Sequence, residues 1–406
     1  MNLRKIFVAF FIVGILSQTL KAQNFNLGEN ERLNTITTAV PFLMIAPDSR
    51  SGAMGDAGVS ISPDANAMYW NAAKLAMSKK EMGFAISYIP WLRALVPDIN
   101  LSYLSGYKKI GDRQAVGVSL FYSSLGNITF TDEQGLTVGQ FRPNEFAVTT
   151  GYSTKLSDYF SGGITVKYIY SNLTFGQVVQ GAQTKPGQTV ASDVSMFYQN
   201  RDIEIGGKDA EVRVGMAVNN LGAKMSYSNA GKRDFIPTNL RLGSTLTLKP
   251  DDANSISFTI EATKLLVPTP PIYSTTSRDS IAVGMDPNVS VVNGIMQSFY
   301  DAPGVKRDDG TYNKSKEELR EINPSVGIEY WYDNQFALRA GYFYEHPTKG
   351  NRQFVTVGAG LKYSVFGLDL TYLVAVQQRN PLANTLRFTL HFDFDSFKEQ
   401  NKKAND

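Results

Sequence analysis

Eight charged side chains, Arg213, Arg241, Glu261, Glu329, Arg339, Lys362, Asp369 and Arg387, sit inside segments that otherwise alternate large apolar with small or polar residues. Each falls on the polar side of its segment, so the charges converge on a shared interior. Both signs occur, which supports two chemistries. One is a salt-bridged interior that satisfies its own charges; the other is a pore selecting a charged solute, for which a constriction of one sign is the usual device. The remaining site chemistry is sparse. His346 and His391 fall on different segments without a ligand-spaced neighbour, so they read as structural rather than metal-binding. His391, between Arg387 and Asp393 on the polar face, has local partners. Gly358-Ala-Gly360 lies mid-segment without the rest of a phosphate-binding pattern and reads as relief of crowding. No Gly-x-Ser-x-Gly elbow occurs, and a serine nucleophile would need a histidine and an acid in reach. No catalytic residue, metal or cofactor is expected.

The elements that carry these charges are strands. In Leu386-Arg-Phe-Thr-Leu-His-Phe-Asp-Phe394 the large apolar residues occupy every second position, with Arg387, Thr389, His391 and Asp393 between them. Strict alternation puts the two sets on opposite faces of a strand. Segments at roughly 82–89, 98–108, 114–125, 144–155, 158–171, 188–200, 209–220, 239–249, 254–264, 325–333, 336–346, 352–364, 366–376 and 385–394 repeat the pattern. An apolar outer face and a polar inner one fit a membrane barrel, and the even count fits one from a bacterial outer membrane. Connections 109–113, 156–157, 250–253, 334–335 and 365 are tight, with 201–208 longer; those at 90–97, 126–143, 172–187, 221–238, 265–324, 347–351 and 377–384 are mostly long. Short turns on the periplasmic side and long loops outside are the expected asymmetry. The fold class is therefore all-β, a 14-stranded antiparallel transmembrane barrel over 81–394.

Arg4 and Lys5, the apolar run Ile6–Leu16 and small Ala22 before Gln23 have the layout of a secretory signal peptide over 1–22. That run is too short to span a bilayer as a helix. Cysteine is absent, which leaves no thiolate site and no lipid-anchor cysteine. Of the 40 Lys and Arg, three (Arg4, Lys5 and Lys21) belong to the leader, leaving 37 against 37 Asp and Glu. That balance offers no electrostatic case for nucleic acid.

Residues 23–80 precede the first strand as a periplasmic or plug segment. Small residues mixed with Met68, Tyr69 and Trp70 suit packing inside a lumen, with a short helix over Ala65–Leu75. Asp48, Arg50, Asp56 and Asp64 are its candidate partners for the wall charges. In the long insertion 265–324, Ser315 to Ile322 reads as a helix capped by Ser315, with Glu318 three residues on; a mobile solvated flap is the plainer reading of the insertion. Tyr88, Trp91, Tyr122, Tyr168, Tyr170, Tyr330, Trp331, Tyr332, Tyr342 and Tyr344 fit interfacial belts. Trp91 and Leu92 in the first outer loop, and Tyr273, Phe299, Tyr300 and Tyr312 in the long one, lie where exposed apolar groups could meet a partner. Residues 395–406 form a polar tail.

Asp48-Ser-Arg-Ser-Gly-Ala-Met-Gly-Asp-Ala-Gly-Val59 and Asp64-Ala-Asn-Ala-Met-Tyr-Trp-Asn-Ala-Ala-Lys-Leu75 resemble the N-terminal signature of the PorV (LptO) family, fatty-acid-transporter-like barrels of the Bacteroidota. Glu321–Glu345, Lys349-Gly-Asn-Arg352 and Pro381–Phe388 resemble it as well. The resemblance implies a non-enzymatic outer-membrane component of the type IX secretion system. Such a protein would bind the C-terminal signal domain of cargo, collect it at an SprA-type translocon and deliver it to a PorU-type sortase complex, in contact with outer-membrane lipid and lipopolysaccharide. A channel for hydrophobic small molecules is the alternative. A lipopolysaccharide-modifying enzyme lacks a visible nucleophile and base.

Overall fold

The alternating segments pair edge to edge until the last meets the first. The computed structural model describes residues 32–394, apart from 94–95, 132–133, 180–181, 229–232, 275, 277–279 and 378–379. Its fourteen main strands are β1 (Met82–Pro90), β2 (Asn100–Ile110), β3 (Gln114–Ser124), β4 (Asn144–Lys155), β5 (Phe160–Asn172), β6 (Gly187–Ile205) and β7 (Lys208–Gly222). They continue as β8 (Asn239–Lys249), β9 (Asn254–Leu265), β10 (Ile322–Tyr332), β11 (Phe336–Tyr344), β12 (Gln353–Tyr363), β13 (Phe366–Ala375) and β14 (Thr385–Asp393). Each pairs antiparallel with its neighbours, and β14 closes on β1 with Phe388 opposite Tyr88 and Asp393 opposite Gly83. Closure leaves no strand edge for lipid to desolvate. The leader expected over 1–22 and the tail over 395–406 lie outside the described residues.

Strand alternation sorts the two faces. Val116, Val118, Leu120, Ile164, Val166, Phe258, Ile260, Leu338 and Leu390 are exposed on the outer wall, as a lipid-facing band requires. The one tight turn misjudged in length is the link at 201–208. Strand β6 runs on to Ile205, which pairs with Lys208 after register shifts at Ser192/Val194 and Asn200/Ile203. Trp331 also departs from expectation. It shares the inward parity of Glu329, is only 8% exposed, and packs beneath Lys362, whose Nζ lies 4.3 Å from the ring centroid. It is a lumen residue, not part of a belt.

The lumen is filled by the chain that precedes β1. Residues 46–61 and 65–78 are almost entirely buried. They form two single-turn helices, α1 (Ser49–Gly52) and α2 (Ala67–Trp70), and a 3-10 turn, Ala72–Met77. The continuous helix expected over 65–75 is broken at Asn71, which is extended (φ −166°, ψ 98°). Its side-chain amide donates to the carbonyls of Val59 and Met196, and its oxygen accepts from the Ala73 N–H. Contacts to the wall outweigh a local helical preference there.

Close approach of the plug to the wall depends on glycine. A Cβ at Gly341 would overlap the backbone of Met54 and Gly55, and one at Gly215 would overlap the Val59 carbonyl. Plug and wall thus meet backbone to backbone, which leaves no room for a side chain between them.

Candidate functional site

Two regions carry the side chains capable of interaction: the charged mid-lumen and the rim formed by the outer loops. In the lumen, Arg50 of α1 reaches Glu329 of β10 with two hydrogen bonds, Nε to Oε2 at 2.9 Å and Nη2 to Oε1 at 2.8 Å. Its Nη1 donates to Asp64 at 3.0 Å and to the Ser62 carbonyl at 3.2 Å. Glu329 also accepts from Arg339 at 2.7 Å, Arg339 donates to Asp369 at 2.7 Å, and Asp369 meets Nε2 of His391 at 2.6 Å. A second group centres on Glu261. One of its oxygens accepts from the backbone N–H groups of Gly58 and Val59 at 2.7 and 2.9 Å, while the other takes Arg241 at 3.0 Å. Arg387, 1% exposed, pairs with Asp56.

Four predicted plug–wall contacts fall elsewhere: Asp64 pairs within the plug, with Arg50; Arg339 pairs within the wall, with Glu329 and Asp369; and Asp48 and Arg213 also differ. Asp48 meets no wall charge; it caps α1 by accepting from the Ser51 N–H at 2.8 Å and holds the Trp70 indole at 2.6 Å. Arg213 bonds its own wall, Glu211 and Thr247, rather than the plug. It lies too near the periplasmic end and lines a polar cavity of about 640 Å³ there. Above the charged layer the lumen turns apolar, with Val40, Phe42, Leu43, Ile89, Leu101, Phe121, Ile169, Met225 and Ile236 packed together. Alternation alone did not reveal this layer, because plug residues supply much of it.

The rim is built by the long insertion. It is folded, with helices α3 (Val291–Gln297) and α4 (Lys314–Leu319) and two small hairpins. Helix α4 is capped two residues earlier than expected, by Asn313, whose side chain accepts from the Lys316 N–H, and not by Ser315. Its acids grip the barrel. Lys264 at the end of β9 bonds Glu318 at 3.1 Å and Glu321 at 2.6 Å; Lys349 in the next outer loop bonds Glu317 at 2.7 Å and Glu321 at 2.9 Å. Burial would raise the Glu317 carboxyl, but the Lys349 ammonium and its hydrogen bonds hold it below the usual range.

Of the predicted rim residues, Tyr273, Phe299 and Tyr300 are exposed. Tyr312 is half-buried and lines a cavity of about 260 Å³. Trp91 and Leu92 are not free. They pack against Phe343, Phe354, Leu373 and Leu382 at the outer mouth, because the chain doubles back at Leu92 with positive φ.

Phe299 and Tyr300 are half of a larger feature. Helix α3 buries Gly294 and Gln297, followed by Ser298 and Asp301, and turns Val292 (71% exposed), Met296 (62%), Phe299 and Tyr300 outward. A Cβ on Gly294 would strike the Phe235 ring, so the smallest residue decides which face sits down. The spacing 292, 296, 299 and 300 was visible as one helical stripe. Its outward direction was expected at Phe299 and Tyr300, from their place in a long loop, and not at Val292 or Met296.

A model of the family described as type IX secretion system protein PorV matches residues 28–272. The chain belongs to the PorV family. The match takes in the described plug and β1–β9, and the likeness noted in the last five strands lies beyond it. Among curated proteins, none matches the sequence. Solved structures similar to the chain include the toluene transporter TbuX of Ralstonia pickettii, with TM-score 0.44 and 12% identity over 85% of this chain and 96% of that one. The toluene transporter TodX of Pseudomonas putida has TM-score 0.45 and 12% identity over 89% and 98%. The monoaromatic hydrocarbon channel CymD has TM-score 0.48 and 13% identity over 88% and 99%.

Family and barrel together make this PorV-family protein an outer-membrane component associated with type IX secretion. Its site then divides by end: an ion-paired lumen occupied by the plug, and a folded rim of long loops with an exposed apolar stripe.

Proposed function

We propose that this protein is a non-enzymatic carrier. Its outer rim binds the C-terminal signal domain of secreted cargo, and diffusion in the membrane takes the complex from an SprA-type translocon to a PorU-type sortase complex. The outward stripe of Val292, Met296, Phe299 and Tyr300 carries this reading. Apolar side chains aligned on the exposed face of an anchored helix are surface for a partner. Asp301, held by the Thr269 N–H, and the Ala302 N–H, held by Glu318, fix the end of that surface before binding, which lowers the entropic cost of association.

The alternative, a channel for hydrophobic small molecules, finds support in the apolar outer half of the lumen. Against it, that half is filled by Val40, Phe42 and Leu43 and ends on the Arg50–Glu329 layer. The outer cavity of about 270 Å³ and the periplasmic one of about 640 Å³ share no lining residue.

The test is a tagged pull-down from detergent-solubilised outer membranes, comparing the natural protein with Val292→Glu/Met296→Glu. Loss of cargo signal domains with the variant, at unchanged barrel yield, is the expected result. Equal recovery by both moves binding off α3, and recovery of bound lipid without secreted protein favours the channel.

A further inference from the structure

The chain enters the lumen from the outer mouth. Asn34 donates its backbone N–H to Thr348 at 2.8 Å and its side-chain amide to Glu317 at 2.9 Å. Ala39 donates to Phe235 at 2.9 Å. Thr348 and Phe235 lie in outer loops, and Glu317 is on α4. The chain then descends through the buried plug to Lys80 and β1 at the periplasmic end. Residues 32–38 therefore belong to the same rim as α3 and α4.

This stretch has the properties of an unfilled strand edge. Leu33-Asn-Thr-Ile-Thr-Thr38 is rich in β-branched residues, which favour extended backbone. Leu33, Thr35 and Thr37 are exposed, while Asn34, Ile36 and Thr38 are half-buried. That period of two is the signature of a strand lying on a surface. Successive N–H groups of an extended chain point to opposite sides. With the Asn34 N–H engaged by the rim, an extended course through this stretch leaves those of Thr35 and Thr37 on the opposite side. Among the described residues, no backbone hydrogen bond is made by Thr35, Ile36 or Thr37.

We propose that residues 33–37 form a β-augmentation site on the cell exterior, at which an edge strand of the cargo signal domain pairs main chain to main chain. Such pairing supplies affinity through backbone groups while tolerating different side chains, as a carrier of many cargoes requires. The inference rests on the outer-rim reading above and adds the mode of recognition.

Two measurements test it. Because the chain lacks cysteine, Leu33→Cys gives a single thiol. Intact cells treated with a membrane-impermeant maleimide should label it as fully as Lys306→Cys in the long outer loop. Labelling only after lysis, as expected of Asp112→Cys in a periplasmic turn, overturns the topology. In the pull-down, Thr35→Pro/Thr37→Pro removes the two outward donors and should reduce cargo recovery at least tenfold. Thr35→Ala/Thr37→Ala, which keeps them, should not. Barrel integrity is read in parallel from heat-dependent gel mobility. If both pairs recover cargo equally while Val292→Glu/Met296→Glu loses it, the rim reading stands and strand pairing fails. If the natural protein captures no cargo, both fall.

Discussion

Arg50 and Glu329 lie 279 residues apart in sequence and share two parallel hydrogen bonds in the middle of the lumen. Arg50 belongs to the plug and Glu329 to the tenth strand, so the pair pins one to the other. A forked guanidinium–carboxylate contact fixes orientation as well as distance. Burial of both charges costs desolvation, and the network through Arg339, Asp369 and His391 offsets it by leaving few lone pairs and donors unmatched.

Arg50→Met should therefore destabilise the folded barrel by about 3 kcal/mol, the lower end of the range for stranding a buried charge. The temperature at which the compact form converts to the unfolded band on a gel is the measurement. Arg50→Met/Glu329→Met should lose less than the two single variants together, since the partners act as a unit. Additive losses would mean that the pair is not coupled.

Gly341→Val should displace the plug. The added Cβ meets the backbone of Met54 and Gly55, which cannot move aside as a side chain could. A cost of about 1–3 kcal/mol follows for overpacking, together with raised single-channel conductance. Ala359→Val on the exposed face of the neighbouring strand is the control and should change neither. Unchanged conductance in Gly341→Val would show that the plug does not depend on this approach.

Asp301, fully buried beneath α3 and accepting from the Thr269 N–H at 3.0 Å, has its carboxyl pushed up from 3.8 to about 6 by burial, with Glu321 and Glu318 adding to the rise. A raised carboxyl favours the folded loop when protonated. Its support is complete below about pH 4 and is lost as the pH rises through 6, a change of about 3 kcal/mol at most. Hydrogen exchange across 291–301 should therefore be slower at pH 5 than at pH 8. Asp301→Asn, which keeps the acceptor without the charge, should remove that difference once intrinsic exchange rates are allowed for. A persistent difference in Asp301→Asn would assign it to another group.

The barrel was legible because alternation with period two is a local property. Each of the fourteen strands was found within a few residues, and the contrast of short turns with long loops told its two ends apart. Family membership was legible too, in the run from Asp48 to Leu75. Several inward charges could be named, since Glu329, Arg339 and Arg387 take their face from strand parity alone. Parity applied as strictly would have placed Trp331 inside as well.

What pairs with what was decided only by the closed barrel. Nothing local distinguishes Asp48, which ends on Trp70 and the α1 backbone, from Asp56, which ends on Arg387. Helix α3 gives the sharper case. Its stripe of Val292, Met296, Phe299 and Tyr300 would ordinarily be taken as the buried face of an amphipathic helix. The structure turns it outward, as expected at Phe299 and Tyr300 from their place in a long loop, because a Cβ at Gly294 would strike the Phe235 ring and because Asp301 is held by the Thr269 N–H beneath. The sequence by itself determined that such a stripe exists and that strands of this spacing must close on one another. Which way Val292 and Met296 face, and that the chain enters its barrel at the mouth ringed by the long loops, depended on steric fit between segments far apart in sequence, which no local pattern encodes.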